Sequence, residues 1–185
     1  MKVVIDTSSL MALVRYYLPF DNDNSLKDFF KTKVENKEII VLDKVAIESK
    51  RNDKGTIIKS LEFIEDKKNQ VKTDVLLPEA SFIRDLENRL CYGARKNTLN
   101  EVEFENRKRV FLEEEDSKLL LFCLSNKGGL NLDNCLLITE ETRADNDEKL
   151  FKKLPVMCEL LGIEHCNLPS LFQNYYNLQL SKYLK

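Results

Sequence analysis

Four carboxylate positions in this chain follow or precede apolar runs in a way that brings distant side chains together. Asp6 ends the run Val3-Val4-Ile5, and Glu48 lies one turn into the helix expected after Ile39–Leu42. Glu140 and Glu141 follow the run Cys135 to Thr139, and Asp116 stands in the first turns of the helix that precedes it. Convergent carboxylates repel and raise one another's pKa, so a fold keeps such a cluster chiefly when a cation compensates it. An all-oxygen donor set selects hard divalent ions, and Mg²⁺ or Mn²⁺ is the expected cofactor. An ion held in this way activates water and stabilises a phosphoryl transition state. Each acid also has a plain structural role. Asp6 can cap a helix, Glu48 can be a solvated helix residue, and the run Glu113-Glu114-Glu115-Asp116 favours a helix dipole by itself. Glu140 and Glu141 can be helix-start or loop acids. The joint arrangement is what points to a site.

Other chemistries have little to build on. His165 is the one histidine among 185 residues, so two-histidine acid–base catalysis and His-rich metal sites are excluded within a chain. A Ser-His-Asp triad would have to run through His165, which reads instead as part of a short strand. The five cysteines (91, 123, 135, 158 and 166) are odd in number and form no C-x-x-C pair. They are expected as buried free thiols rather than as disulfides or a zinc knuckle. With 29 basic and 31 acidic residues the net charge is −2, so there is no global basic field and an anionic polymer must be held locally or through metal. No run of about 18 apolar residues suggests a membrane span. An acid at position 6 comes early for a signal peptide, and a cytoplasmic location is expected.

The elements that must position these acids follow from periodicity. Strand-like runs are Lys2–Ile5, Ile39–Leu42, Cys135–Thr139 and Ile163–Cys166, with a weaker one at Val75–Leu77. Thr7, Ser8 and Ser9 can each cap a first helix, Ser25 a second and Asp43 a third. Asn52 to Phe111 reads as a charged and largely helical insert, for instance over Ile57–Lys67 and Glu79–Leu90. Glu113 to Asn126 is a helix stopped by Lys127-Gly128-Gly129, and Pro155 opens another that Gly162 ends. Strands alternating with helices imply an α/β domain over residues 1–185, a three-layer α/β/α sandwich on a central parallel sheet with a helical insertion at about 52–111. In such sheets ligands bind beyond the carboxyl ends of the strands, which is where the acids fall.

The motifs resemble the PIN-domain family. Val3-Val4-Ile5-Asp6-Thr7-Ser8-Ser9-Leu10 is similar to that family's first motif, and Ile40-Val41-Leu42 followed by Glu48 to its second. Asp116-Ser117-Lys118-Leu119-Leu120 resembles the third, and Leu137-Ile138-Thr139-Glu140-Glu141 the fourth. The likeness covers roughly residues 1–50 and 112–172. It implies Mg²⁺- or Mn²⁺-dependent endoribonuclease activity on an RNA substrate. As in many bacterial members, it also implies a toxin role with an antitoxin partner, and a homodimer. The fourth acid is usually Asp in that family. Glu141 is taken here, with Glu140, Asp145 and Asp147 as competitors.

Under that resemblance Asp6 and Asp116 are the main metal ligands, Glu48 and Glu141 complete the shell, and the products carry 5′ phosphate and 3′ hydroxyl. Thr7, Ser8 and Thr139 hold the acids or contact phosphate, and the helix start after Ser8 offers backbone N–H groups for the same purpose. Cations that could meet RNA are Lys44, Lys50, Arg51, Arg95, Lys96 and Arg107 to Arg109, with Tyr92 and Phe104 available for stacking. Mixed as these cations are with acids, a solvated helix surface is their plainer reading. A dehalogenase-type phosphatase would need an acid where Ser8 stands, a receiver domain lacks its acidic pair, and a dinucleotide fold lacks its Gly-x-Gly-x-x-Gly turn. The rival reading is a catalytically impaired module that binds RNA or protein.

Overall fold

The computed structural model describes residues 2–127, 135–143 and 148–185. The strands are β1 (Lys2–Ile5), β2 (Ile39–Leu42), β3 (Gln70–Val71), β4 (Cys135–Ile138) and β5 (Glu164–Cys166). They form one sheet of order β3-β2-β1-β4-β5, and every pairing is parallel. The helices are α1 (Thr7–Ala12), α2 (Ser25–Glu35), α3 (Asp43–Arg51), α4 (Thr56–Ser60), α5 (Ala80–Asn88), α6 (Gly93–Lys96), α7 (Glu101–Phe111), α8 (Glu115–Asn126), α9 (Leu154–Leu161) and α10 (Leu168–Ser170). β2 and β4 are buried at every position and β1 at all but its first. Successive strand residues point to opposite faces, so both faces of the sheet are covered. This α/β arrangement is consistent with a three-layer sandwich. One large apolar cluster runs through it, with Phe30, Phe172, Leu26 and Ile64 among its fully buried members.

The chain leaves β1 for β2 on one side and later returns to β4 on the other. The crevice between the carboxyl ends of β1 and β4 is therefore a topological switch point. Register sharpens this, because Ile5 pairs with Ile138 and the Asp6 N–H donates to the Ile138 carbonyl at 3.1 Å. The residues that follow the two strands, Asp6 and Thr139, emerge side by side.

Several expectations need correction. The edge strand of the 52–111 segment is Gln70–Val71, not Val75–Leu77. Val41 and Leu42 pair with Gln70 and Val71, while Val75 and Leu77 stand 77% and 79% exposed. Side chains fix that choice: Asn69 Nδ2 donates to the Phe63 carbonyl at 2.8 Å, and the Thr73 hydroxyl donates to Asp43 at 2.6 Å. Asp43 is thus tied to the edge strand and does not cap α3, whose N-cap Leu42 supplies no side-chain bond. The expected helix Ile57–Lys67 is broken. α4 ends at Ser60, Leu61 is non-helical, and short 3₁₀ turns follow at Glu62–Ile64 and Lys67–Asn69. The segment therefore combines short helices with one strand of the sheet.

Capping also differs. Asp21, not Ser25, serves the start of α2, accepting the Leu26 and Lys27 N–H groups at 2.9 Å each. Asp6 rather than a hydroxyl residue caps α1. Pro155 and Gly162 bound α9 as expected, Gly162 with φ +64°. Lys127 ends α8, whereas Gly128 and Gly129 lie outside the described residues. The five cysteines are free thiols, and all but the half-buried Cys166 are buried. Among the described residues no helix is long and apolar enough to cross a membrane.

Candidate active site

The geometry of the acids starts from Asp6, which is 3% exposed. Its Oδ1 accepts the Ser9 N–H at 2.7 Å, and its Oδ2 accepts the Ser8 hydroxyl at 2.7 Å. The Thr139 hydroxyl also bonds this carboxylate while accepting the Glu141 N–H at 3.1 Å. Burial pushes the Asp6 pKa up, and these hydrogen bonds pull against it. Ser8 is a second link, since its Oγ accepts the Glu140 N–H at 3.0 Å. Two short polar bridges thus lock the loop after β4 to the loop after β1.

α8 brings its acids to the same edge. Glu115 is buried, and its carboxylate accepts both the Thr7 N–H at 2.8 Å and the Thr7 hydroxyl at 2.6 Å. Burial holds its pKa well above the ordinary range, and a hydrogen bond with Glu48 raises it further. Glu48 reaches this point because α3 packs on both α1 and α8. Small, fully buried serines sit on these helices (Ser9, Ser49 and Ser117), and side chains of that size allow close approach.

Asp116, the next residue of α8, is half-buried. Its pKa is raised to about 7, first by desolvation and then by the charges of Glu141, Asp6 and Glu48, with Lys149 opposing. Those charges come from three other elements, so Asp116 is the point at which the other three predicted acids converge. Glu140 and Glu141 part company there. Glu140 Oε1 accepts the Leu168 N–H at 2.6 Å, at the start of α10. Glu141 lines the same cavities as Asp116, although it also accepts the Leu154 N–H at 3.2 Å. Asp145 and Asp147 lie outside the described residues.

Two adjoining cavities, of about 610 and 600 Å³, meet at Glu114, Asp116, Glu141 and Lys149. One runs between α3 and α8 past Lys44, Glu48 and Arg51. The other runs under α7 past Arg107, Val110, Phe111 and Phe151. Lys44 and Arg51 therefore stand at the site, whereas Lys50 pairs with Glu65 at 2.5 Å. In the insert Arg107 lines the cleft, but Lys108 is buried against Glu87 and Glu105. Phe104 is 7% exposed, with Lys96 over its ring, so it offers no open face for stacking. Tyr92 carries Lys152 over its ring at 4.3 Å.

Thr7, Ser8 and Thr139 all turn their hydroxyls to carboxylates, and Thr7 and Thr139 are buried. Their place is to hold the acids. The N–H groups of Thr7 and Ser9 go to Glu115 and Asp6, so this helix start is occupied from within the chain. Glu115 is the site residue that sequence reasoning missed. The available signal was its position directly before Asp116, on a helix start that must face the Asp6 loop.

By donor type the cluster fits a hard divalent ion, being all oxygen, partly desolvated and mutually repelling. Among the described residues no three of these side chains stand in a ready-made metal-holding arrangement. Held by Asp6, Asp116, Glu48 and Glu141, a cation would offset both the burial and the neighbouring charges that raise Asp116. In comparisons of the whole chain, no family model, no curated protein and no solved structure matches it.

Proposed function

We propose that this chain is a divalent-metal-dependent endoribonuclease with a PIN-like domain, acting through Asp6, Glu48, Asp116 and Glu141. The observation that carries the reading is the state of Asp116. Its carboxyl lines the same two cavities as Glu141 and is raised to about 7, first by burial and then by the charges of Glu141, Asp6 and Glu48, a setting that a divalent cation would relieve. The location supports it, at the switch point of a parallel sheet. Lysines and arginines flank the acids on both sides, at Lys44 and Arg51 and at Arg107 and Lys149. They are positioned to hold a phosphodiester backbone across the centre.

Mg²⁺ or Mn²⁺, when bound, supplies an activated water and charge stabilisation for phosphodiester hydrolysis. The chain's own part is positional. Asp6 is fixed by Ser8, Ser9 and Thr139, and Glu115 fixes the start of α8 through Thr7. Asp116 and Glu141 face the cleft formed by the two adjoining cavities. A small antitoxin-like inhibitor and a homodimer belong to the same proposal and rest on the motif resemblance alone.

The test is cleavage of labelled structured and unstructured RNA by wild type and Asp116→Asn, with Mn²⁺ or with EDTA. Expected is cleavage by wild type with Mn²⁺ only, together with a Mn²⁺-induced rise in melting temperature that Asp116→Asn lacks. A folded wild type that neither cleaves RNA nor responds thermally to Mn²⁺ would overturn the reading in favour of a binding module.

A further inference from the structure

Cys123, near the end of α8, and Cys135, at the start of β4, lie at the opposite end of the sheet from the acids. Their Sγ atoms stand 3.1 Å apart, and the two residues are 2% and 7% exposed. A disulfide closes at about 2.05 Å, so each sulfur has only ~0.5 Å to move. Two thiolates sharing one tetrahedral zinc ion, with bonds of roughly 2.3 Å, would sit about 3.8 Å apart, and this pair is closer than that. The backbones that carry the pair are held from both sides. Lys2 Nζ donates to Asn126 Oδ1 at 3.1 Å, and Lys127 Nζ donates to the Gly162 carbonyl at 2.6 Å. The pair also has a way in. A cavity of about 160 Å³, lined by Cys123, Lys127, Cys135, Gly162, Ile163 and Glu164, borders both cysteines. That space is well below the ~300 Å³ of ordinary small-ligand sites, yet it has room for water-sized molecules. Hydrogen peroxide fits it, and a bulky peptide disulfide does not.

We propose that Cys123 and Cys135 form a peroxide-dependent modification site, closing to a reversible disulfide that staples α8 to β4. Cys135, the more exposed of the two, attacks one peroxide oxygen as its thiolate. The O–O bond breaks, the departing hydroxide leaves with the thiol's proton as water, and a sulfenic acid remains. Cys123 then attacks that sulfur, the S–O bond breaks, and the hydroxyl leaves with the second thiol proton as another water. The two thiols give up two electrons and the peroxide takes them, so no further oxidant is needed. The contact with Cys135, and then burial, hold the Cys123 thiol well above its ordinary pKa. Thiolate is therefore scarce and closure is slow, on the scale of hours. The bond closes a loop of 12 positions, a constraint on the unfolded chain that stabilises the folded one. α8 carries Asp116 in its first turn and β4 leads into Thr139 and Glu141. The staple thus ties together the two elements that deliver those acids, and it does not depend on the nuclease reading.

The test uses the full-length chain, reduced with dithiothreitol, desalted and held for hours with hydrogen peroxide. Free thiols are then blocked with iodoacetamide, and the protein is digested with trypsin without reductant. Cutting after Lys118, Lys127 and Arg143 puts Cys123 and Cys135 on separate peptides, each with one cysteine. Expected is a covalent pair of these two peptides, lighter by two hydrogens than their sum, which dithiothreitol separates. The intact oxidised protein should melt about 5 °C higher than the reduced one. Cys135→Ala, treated in the same way, should show neither the pair nor the shift. A folded wild type that yields no such pair, a pair made through Cys158 or Cys166 instead, or a lower melting temperature on oxidation would overturn the site. If Cys135→Ala does not fold, the peptide map of wild type decides alone.

Discussion

Replacing Asp116 by Asn should stabilise the metal-free protein by an amount that grows as pH rises from about 4 to about 7. In the folded chain this carboxyl titrates at about 7 instead of its ordinary 3.8. The native state therefore binds the proton more tightly than the unfolded state. The resulting stability is fully present below the unfolded pKa and is lost as pH rises through the folded value. A shift of this size corresponds to about 4 kcal/mol at 1.36 kcal/mol per unit. Because the side chain is half-buried, solvent and relaxation of its neighbours reduce this to about 2 kcal/mol. Asn is nearly isosteric and carries no charge. Below about pH 3.5, where the carboxyl is protonated in the folded and the unfolded state alike, the two proteins should melt together. At pH 8 in EDTA, Asp116→Asn should melt higher. For 185 residues the unfolding entropy is about 0.4 kcal/mol/K, which converts 2 kcal/mol into roughly 5 °C. Thermal unfolding followed by circular dichroism at pH 3.5, 5, 6, 7 and 8 reads this directly. A variant less stable than wild type at pH 8, or a difference that does not change with pH, would refute the electrostatic reasoning.

Two further outcomes follow from local geometry. Glu115→Ala strands the buried N–H and hydroxyl of Thr7 and should lower stability by about 2–4 kcal/mol in urea titrations. Glu115→Gln keeps an acceptor and should lose less than half as much, and equal losses would mean that the Thr7 link is not what matters. Gly162→Ala puts a Cβ at φ +64°, 3.0 Å from Lys127 Nζ. It should cost about 1 kcal/mol, and a neutral result in the same titration would show that the α9 terminus adjusts freely.

The central sheet was legible in the sequence because β1, β2 and β4 are continuous apolar runs, the pattern that a strand buried on both faces requires. Asp6 and the loop after β4 were legible for the same reason, since a polar residue that ends such a run has to emerge at the sheet edge. β3 was not legible. Gln70-Val71 has no strand pattern of its own and is placed by contacts from Asn69, Thr73 and Asp43. Val75–Leu77 has the pattern but no strand to pair with, and Pro78 follows it. Glu115 could not be told from Glu113 and Glu114 by type, because only packing against Thr7 separates them. The cap of α2 was misassigned because a nearby Asp outcompetes a hydroxyl, as Asp21 does over Ser25, whereas Asp6 caps α1 as its structural reading anticipated. Tyr92, Phe104 and Lys108 looked available as aromatic and basic residues, but cation–ring and ion-pair contacts engage them.

The lengths of the two outermost strands bear on how the protein behaves at high concentration. β3 contributes two residues and β5 three, and both carry polar side chains, Gln70 on one and Glu164 and His165 on the other. The long apolar runs that would most readily recruit another chain, Val3–Ile5, Ile39–Leu42 and Cys135–Ile138, are each flanked by a partner on both sides. A foreign strand is left with a docking rail too short and too polar to propagate. Self-association by strand addition should accordingly require unfolding of an outer strand first, which ties resistance to aggregation to the side-chain contacts that hold Gln70-Val71 in place.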